Sequence, residues 1–126
     1  MKSSLAPAIV AIVYFFAALP AASAAQPFDT RAFQRAQAAG KTTLIHVGAS
    51  WCSTCKRQKP IIRQIEQEIP ELVVYEVDFD KAKDVLQRLE VRYQTTLIVF
   101  RGTKEIARSV GDTSGSSIRA LVATGL

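Results

Sequence analysis

The chain is predicted to fold as an α/β domain, with a central mixed sheet, helices on both faces and an antiparallel hairpin at one edge. Three observations lead there. From residue 28 onward, apolar strand-like runs alternate with segments of helical period. Two strand runs near the end, Thr96–Phe100 and Glu105–Val110, are joined by the short turn 101–104, a hairpin spacing. Between the first strand and the second helix stands Trp51-Cys52-Ser53-Thr54-Cys55, a cysteine pair placed at a helix start.

The first 24 residues follow another pattern. Lys2 gives a basic start, Ala8–Leu19 is an apolar core, Pro20 breaks it, and Ala22-Ser23-Ala24 offers small residues at the cleavage spacing. That order predicts a secretory signal, residues 1–24, cut after Ala24 to leave a domain over 25–126. The alternative is an uncleaved anchor: Ser3–Gln26 is long enough to span a bilayer, though Pro7 and Pro20 interrupt it. No cysteine lies near the cut, which excludes a lipid-modified N-terminal cysteine. The predicted location is a bacterial periplasm. At 126 residues with a net charge of +5, the chain allows one domain. Its basic residues Lys56, Arg57, Lys59 and Arg63 gather on the helix after the cysteines, as a solvated face that could also steer acidic partners. No aromatic residues interleave with them, so nucleic-acid binding is unsupported.

The elements follow in order. Phe28–Ala39 reads as a helix capped by Asp29 or Thr30 and stopped at Ala39–Gly40. Thr43–Val47 is an apolar run suited to a strand covered on both faces. A helix from about Cys52 to Glu68 carries Ile61, Ile62, Ile65 and Ile69 at helical spacing. Pro60 should bend it by removing a backbone donor. Leu72–Val77 is the next strand, and Lys81–Leu89 a helix with Val85, Leu86 and Leu89 apolar. After the hairpin, residues 111–114 form a loop. Ser116 or Ser117 then caps a last helix that packs through Ile118, Leu121 and Val122.

The chemistry lies in the cysteines. At a helix start, unpaired N–H groups and the helix dipole favour a thiolate, the form that attacks disulfides. A second cysteine one turn on is placed to displace whatever the first captures. Zinc uses the same spacing but needs three or four ligands, and the chain offers two cysteines and one histidine, His46. As a structural staple the bridge would close too short a loop to contribute much stability. Redox chemistry is therefore preferred, and a chain exported to an oxidising compartment with a single cysteine pair fits it.

Nearly all of the chain after residue 24 resembles the thioredoxin family. Trp51-Cys52-Ser53-Thr54-Cys55-Lys56 stands where that family has Trp-Cys-Gly-Pro-Cys-Lys. Pro60 falls at the family's helix-bending proline, Asp80 at the acid after the third-strand run, and Val91–Gly111 follows the final hairpin. The lead-in Phe28–Lys41 is most similar to exported members of the family. The resemblance implies a thioredoxin-like fold. It also implies Cys52 as the exposed nucleophile, Cys55 as the buried resolving thiol, Trp51 flanking the site, and the Gln94-Thr95 loop opposite the sulfur as a substrate-docking segment.

Three departures stand out. Thr95 occupies the place of the family's cis-proline; a cis bond there would cost on the order of 3 kcal/mol, so a trans bond is expected. Either that loop handles substrate differently, with the hydroxyl approaching Cys52, or it has simply drifted. Ser53-Thr54 replaces Gly-Pro, which changes the reduction potential by an amount the residues do not give. His46 and Glu76 stand where the family has a buried aspartate and its lysine partner. They are expected to face each other under the disulfide, with His46 exchanging a proton with Cys55. The alternative is a core histidine satisfied by a hydrogen bond.

The expected function is that of an exported thiol–disulfide oxidoreductase acting on protein disulfides or thiols. Cys52, Cys55 and His46 are its candidate catalytic residues, and Trp51, Gln94 and Thr95 its candidate substrate-binding residues. No cofactor is expected. Similarity to the reducing members favours a reductase, which would need a membrane electron donor, while the oxidase direction stays open. The rival is a module holding a soft metal ion or cluster through the same two sulfurs. Oligomeric state is not legible.

Overall fold

The computed structural model describes residues 24–126, so the predicted leader lies outside the described residues save for Ala24. The elements are β1 (Gln26–Pro27), α1 (Thr30–Ala38), β2 (Thr42–Gly48), α2 (Ser53–Glu68), β3 (Val73–Asp78), α3 (Lys83–Arg88), β4 (Thr96–Arg101), β5 (Lys104–Val110) and α4 (Gly115–Ala123). The sheet order is β1-β3-β2-β4-β5. β3 runs parallel to β1 and β2, whereas β4 is antiparallel to both β2 and β5. This is the expected mixed sheet with an antiparallel edge hairpin.

Side-chain alternation sorts the sheet into two faces. On one, Ile45, Val47, Tyr75, Val77, Ile98 and Phe100 pack with Phe33 of α1 and with Val85 and Leu86 of α3. On the other, Leu44, Val74, Leu97 and Val99 pack with Ile62 and Ile65 of α2 and with Ile118 and Val122 of α4. His46 and Glu76 have the parity of Leu44 and Val74, so both side chains belong to the α2 face. They are also register partners across β2 and β3.

The local signals for α1 act as read. Asp29 accepts a hydrogen bond from the Ala32 N–H at 2.7 Å. Gly40, at φ +68°, ends the helix while the Lys41 N–H reaches back to the Ala36 carbonyl at 3.0 Å. α2 runs through Pro60.

Two features differ from the sequence reading. β1 was not expected: a two-residue strand has no periodicity to detect, and its proline is tolerated because the strand is an edge. The cap of α4 is Ser114, not Ser116 or Ser117. Its side chain accepts from the Ser117 N–H at 3.4 Å, and the Asp112 carboxylate accepts from the Ser114 N–H at 2.9 Å. In a run of small hydroxyl residues, local chemistry alone does not choose which one stops being helical.

Glu66 of α2 is buried, and its Oε1 has no hydrogen-bond partner. Burial pushes its carboxyl above the ordinary range, the Glu76 charge adds to this, and Arg63 opposes it. The folded state thus favours protonated Glu66, and stability present below the ordinary carboxylate range is lost as pH rises through the raised value. Glu66→Gln is predicted to stabilise the domain at neutral pH by ~1 kcal/mol, or about 5 °C in Tm. The gain should fade as pH is lowered to about 4. Thermal unfolding of both proteins at the two pH values checks this.

Candidate functional site

The site is built where β2 stops. Gly48 ends the strand, residues 49–51 cross over, and Cys52, with extended φ −87° and ψ 109°, is the N-cap of α2. Its Sγ accepts a hydrogen bond from the Cys55 N–H at 3.1 Å. A sulfur therefore occupies the place of a capping oxygen, facing the positive end of a helix dipole. Cys52 and Cys55 are joined as a disulfide, their Cα atoms 5.3 Å apart. Cys52, expected to be exposed, is buried: it is 6 % exposed against 1 % for Cys55. As N-cap, Cys52 is held against the first turn of α2 rather than standing clear of it.

Trp51 stands beside it, 59 % exposed, with its indole Nε1–H donating to Asp80 Oδ2 at 2.8 Å. Asp80 is itself placed by Asp78, whose Oδ1 accepts from the N–H groups of Asp80 (2.9 Å) and Lys81 (3.1 Å). The ring is thus held from the end of β3 rather than buried, and it stays available as a flat apolar wall.

All peptide bonds among the described residues are trans, including the one before Thr95. Thr95 instead adopts φ +65°, a left-handed conformation that a β-branched residue rarely takes. Its backbone is fully engaged: the N–H donates to Val47 O at 2.8 Å, and the carbonyl accepts from Gly111 N–H at 3.3 Å and Gln58 Nε2 at 3.4 Å. Thr95 is buried and Gln94 half-buried beside it. Among the described residues neither is hydrogen-bonded to Cys52, and the Thr95 hydroxyl lies beside Gly111, where an added β-carbon would be 3.9 Å from it. The exposed aromatic of this loop is Tyr93, which sequence reasoning passed over.

Below the disulfide, His46 is buried. Its Nδ1 lies 4.0 Å from Glu76 Oε1, too long for a hydrogen bond and an ion pair only when the ring is protonated. Lys59 Nζ is 3.9 Å from the other Glu76 oxygen. The pairing of His46 with Glu76 is thus as expected, with Lys59 added from α2. The influence of His46 comes first in holding the Glu76 carboxyl below the ordinary range; burial opposes it, and Lys59 and Arg63 help.

Among the described residues no hydrogen bond joins a ring nitrogen of His46 to Cys55. His46 Nε2 bonds Gln58 Oε1 at 3.0 Å, and Nδ1 faces Glu76. The ring turns its Cε1 toward Gly48. A β-carbon on Gly48 would lie 3.5 Å from His46 Cε1 and 3.6 Å from Cys55 Sγ, so both flank the bare α-carbon of Gly48. There a cleft of about 300 Å³ opens, lined among others by His46, Gly48, Ser50, Lys59, Glu76 and Asp78.

Gln58 is the residue that the sequence reading missed. Fully buried, it receives the His46 bond at Oε1 and donates from Nε2 to the carbonyls of Asp112 at 2.7 Å and Thr95 at 3.4 Å. The signal was its spacing: Cys55, Gln58, Ile62 and Ile65 share the buried stripe of α2. The metal-binding alternative gains nothing here. Among the described residues no group of three or more His, Cys, Asp or Glu side chains is placed to hold an ion.

Comparison with known proteins agrees with this geometry. The thioredoxin family model matches residues 24–124. Thioredoxin-1 of Saccharomyces cerevisiae is 33 % identical over 91 residues, covering 72 % of this chain and 88 % of that protein. Human thioredoxin is 34 % identical over 95 residues, covering 74 % and 87 % respectively. The crystal structure of Trxlp from Edwardsiella tarda superposes with a TM-score of 0.76 at 37 % identity, over 79 % of this chain and 98 % of that one. With the sheet order, the capped cysteine pair and these matches together, the chain belongs to the thioredoxin family, as a thiol–disulfide oxidoreductase whose redox-active pair is Cys52 and Cys55.

Proposed function

We propose that the protein is an exported reductase of protein disulfides in which Cys52 attacks and Cys55 resolves. The thiolate of Cys52 attacks one sulfur of the partner's disulfide. The partner's S–S bond breaks, one thiolate leaves, and a mixed disulfide forms. Cys55, losing its proton, then attacks Cys52 Sγ; the second partner thiolate leaves and the Cys52–Cys55 bond closes. The observation that carries this reading is the Cys52 sulfur at the N-cap of α2, accepting the Cys55 N–H, with Cys55 directly beneath it.

Trp51 and the Gln94-Thr95 loop flank the partner chain. Because the Thr95 backbone is already bonded within the fold, docking falls more on side chains and on Gln94 than on Thr95 main chain. His46 takes up the proton that Cys55 gives, through the space beside Gly48, with Glu76 and Lys59 setting the charge there. His46→Ala is predicted to slow insulin-disulfide reduction and flatten its pH dependence; an unchanged rate at every pH would remove this role.

Export is supported by the leader pattern in residues 1–24, and the reducing direction by the Trp-Cys-x-x-Cys-Lys setting. In an oxidising compartment, electrons would then come from a membrane donor. The reduction potential tests the direction. A value nearer the roughly −270 mV of reducing thioredoxins than the roughly −120 mV of a dedicated oxidase is expected; the reverse makes the protein an oxidase. Cell fractionation with N-terminal sequencing tests export, with Ala25 as the expected first residue.

A further inference from the structure

We propose that Gln58 is a positioning residue for disulfide exchange: it fixes which nitrogen of His46 carries the permanent hydrogen, and it locks that ring to the Thr95 and Asp112 loops. The assignment follows from the partners. Both contacts of the Gln58 Nε2 are backbone carbonyls, Asp112 O at 2.7 Å and Thr95 O at 3.4 Å, so that atom must be the amide nitrogen. The other atom is then a carbonyl oxygen, which can only accept. His46 Nε2, 3.0 Å from it, must therefore donate.

Proton exchange at His46 is consequently confined to Nδ1. That nitrogen lies 4.0 Å from Glu76 Oε1, and both residues line the cleft beside Gly48. The charged and titratable groups around the ring are few. Glu76 and Asp78 come from β3, and Lys59 and Cys55 from α2, with Glu66 and Arg63 acting on Glu76 from further along that helix. From β4 the opposite residue is Leu97, which carries no charge.

One side chain thus joins β2, α2, the Thr95 loop and the Asp112 loop. An apolar residue in its place would leave the buried Nε2–H of His46, the buried Thr95 carbonyl and the half-buried Asp112 carbonyl without this partner. The ring would then be free to turn or to change tautomer, and either change moves the exchanging nitrogen away from the cleft.

This inference rests on the reading of His46 as the group that takes the Cys55 proton, and its test separates the two. The chain has a single histidine, so its ring nitrogens can be read without ambiguity by ¹⁵N-correlated NMR. In the native protein, oxidised and reduced, the neutral ring is expected as the Nε2–H tautomer. An Nδ1–H tautomer overturns the assignment and does not depend on any variant folding.

In Gln58→Met, the mixed disulfide with a model peptide should resolve on the order of tenfold more slowly, and the pH midpoint of that step should move. Alkylation of Cys52 by iodoacetamide should change less than about twofold, because the first sulfur keeps its cap. A Gln58→Met protein that is folded by circular dichroism yet keeps the native tautomer and the native pH profile refutes the positioning role. If Gln58→Met changes the tautomer while both it and His46→Ala leave the resolving step untouched, the geometric assignment stands. The proton role of His46, and with it the functional part of this proposal, then falls.

Discussion

Cys52→Ser should lower insulin-disulfide reduction by more than about 10³-fold, because a hydroxyl at the N-cap keeps the hydrogen bond but supplies no nucleophile at neutral pH. Oxygen is as good a cap as sulfur, so the variant should fold with nearly unchanged stability, which separates lost chemistry from lost structure. Cys55→Ser fails differently. Cys52 still attacks, but no sulfur lies beneath to displace the captured partner, so a stable mixed disulfide accumulates and is released by added dithiothreitol. Mass spectrometry of the intact adduct checks this. Trapping by Cys52→Ser rather than Cys55→Ser would reverse the two roles.

The second large effect is structural. Phe33 is buried at the centre of an aromatic group on the α1 face of the sheet. Its ring centroid lies 5.3 Å from Phe28, 5.7 Å from Tyr75 and 5.3 Å from Phe100, with edge-to-face geometry towards the last two. Phe33→Ala opens a cavity lined by rigid rings that cannot easily collapse. The expected loss is about 3–5 kcal/mol, or a fall in Tm of about 15–30 °C for a domain of this size. Because the disulfide and α2 lie across the sheet, exchange per folded molecule at low temperature should hold. A Tm shift below about 5 °C would mean that α1 contributes far less to the core than its packing shows.

Most of the fold could be read in the sequence because the signals were local and agreed with one another. Asp29 and Gly40 bounded α1, the isoleucine spacing gave α2, and the short turn at 101–104 gave the hairpin. What could not be read depends on pairing between distant segments. β1 exists only because Gln26 and Pro27 meet the edge of β3. The choice of Ser114 as cap depends on Asp112, which is held from the far side by Gln58.

The site divides in the same way. The cysteine pair and the opposition of His46 to Glu76 followed from motif and strand register. The hydrogen bond that the imidazole makes did not, because its partner is a glutamine that looks like one more polar residue on a solvated helix. The left-handed turn at Thr95 was hidden for a related reason: threonine gives no local sign of a conformation imposed by bonds to Val47, Gly111 and Gln58.

The most direct measurement is the pH dependence of Cys52 alkylation by iodoacetamide in the reduced protein, with Cys55→Ser as the single-thiol reference. Rapid labelling of Cys52 is expected in mildly acidic solution, where an ordinary thiol stays protonated and unreactive. If Cys52 reacts only in alkaline solution, as a free cysteine does, then the helix start does not activate it and the account of the site fails.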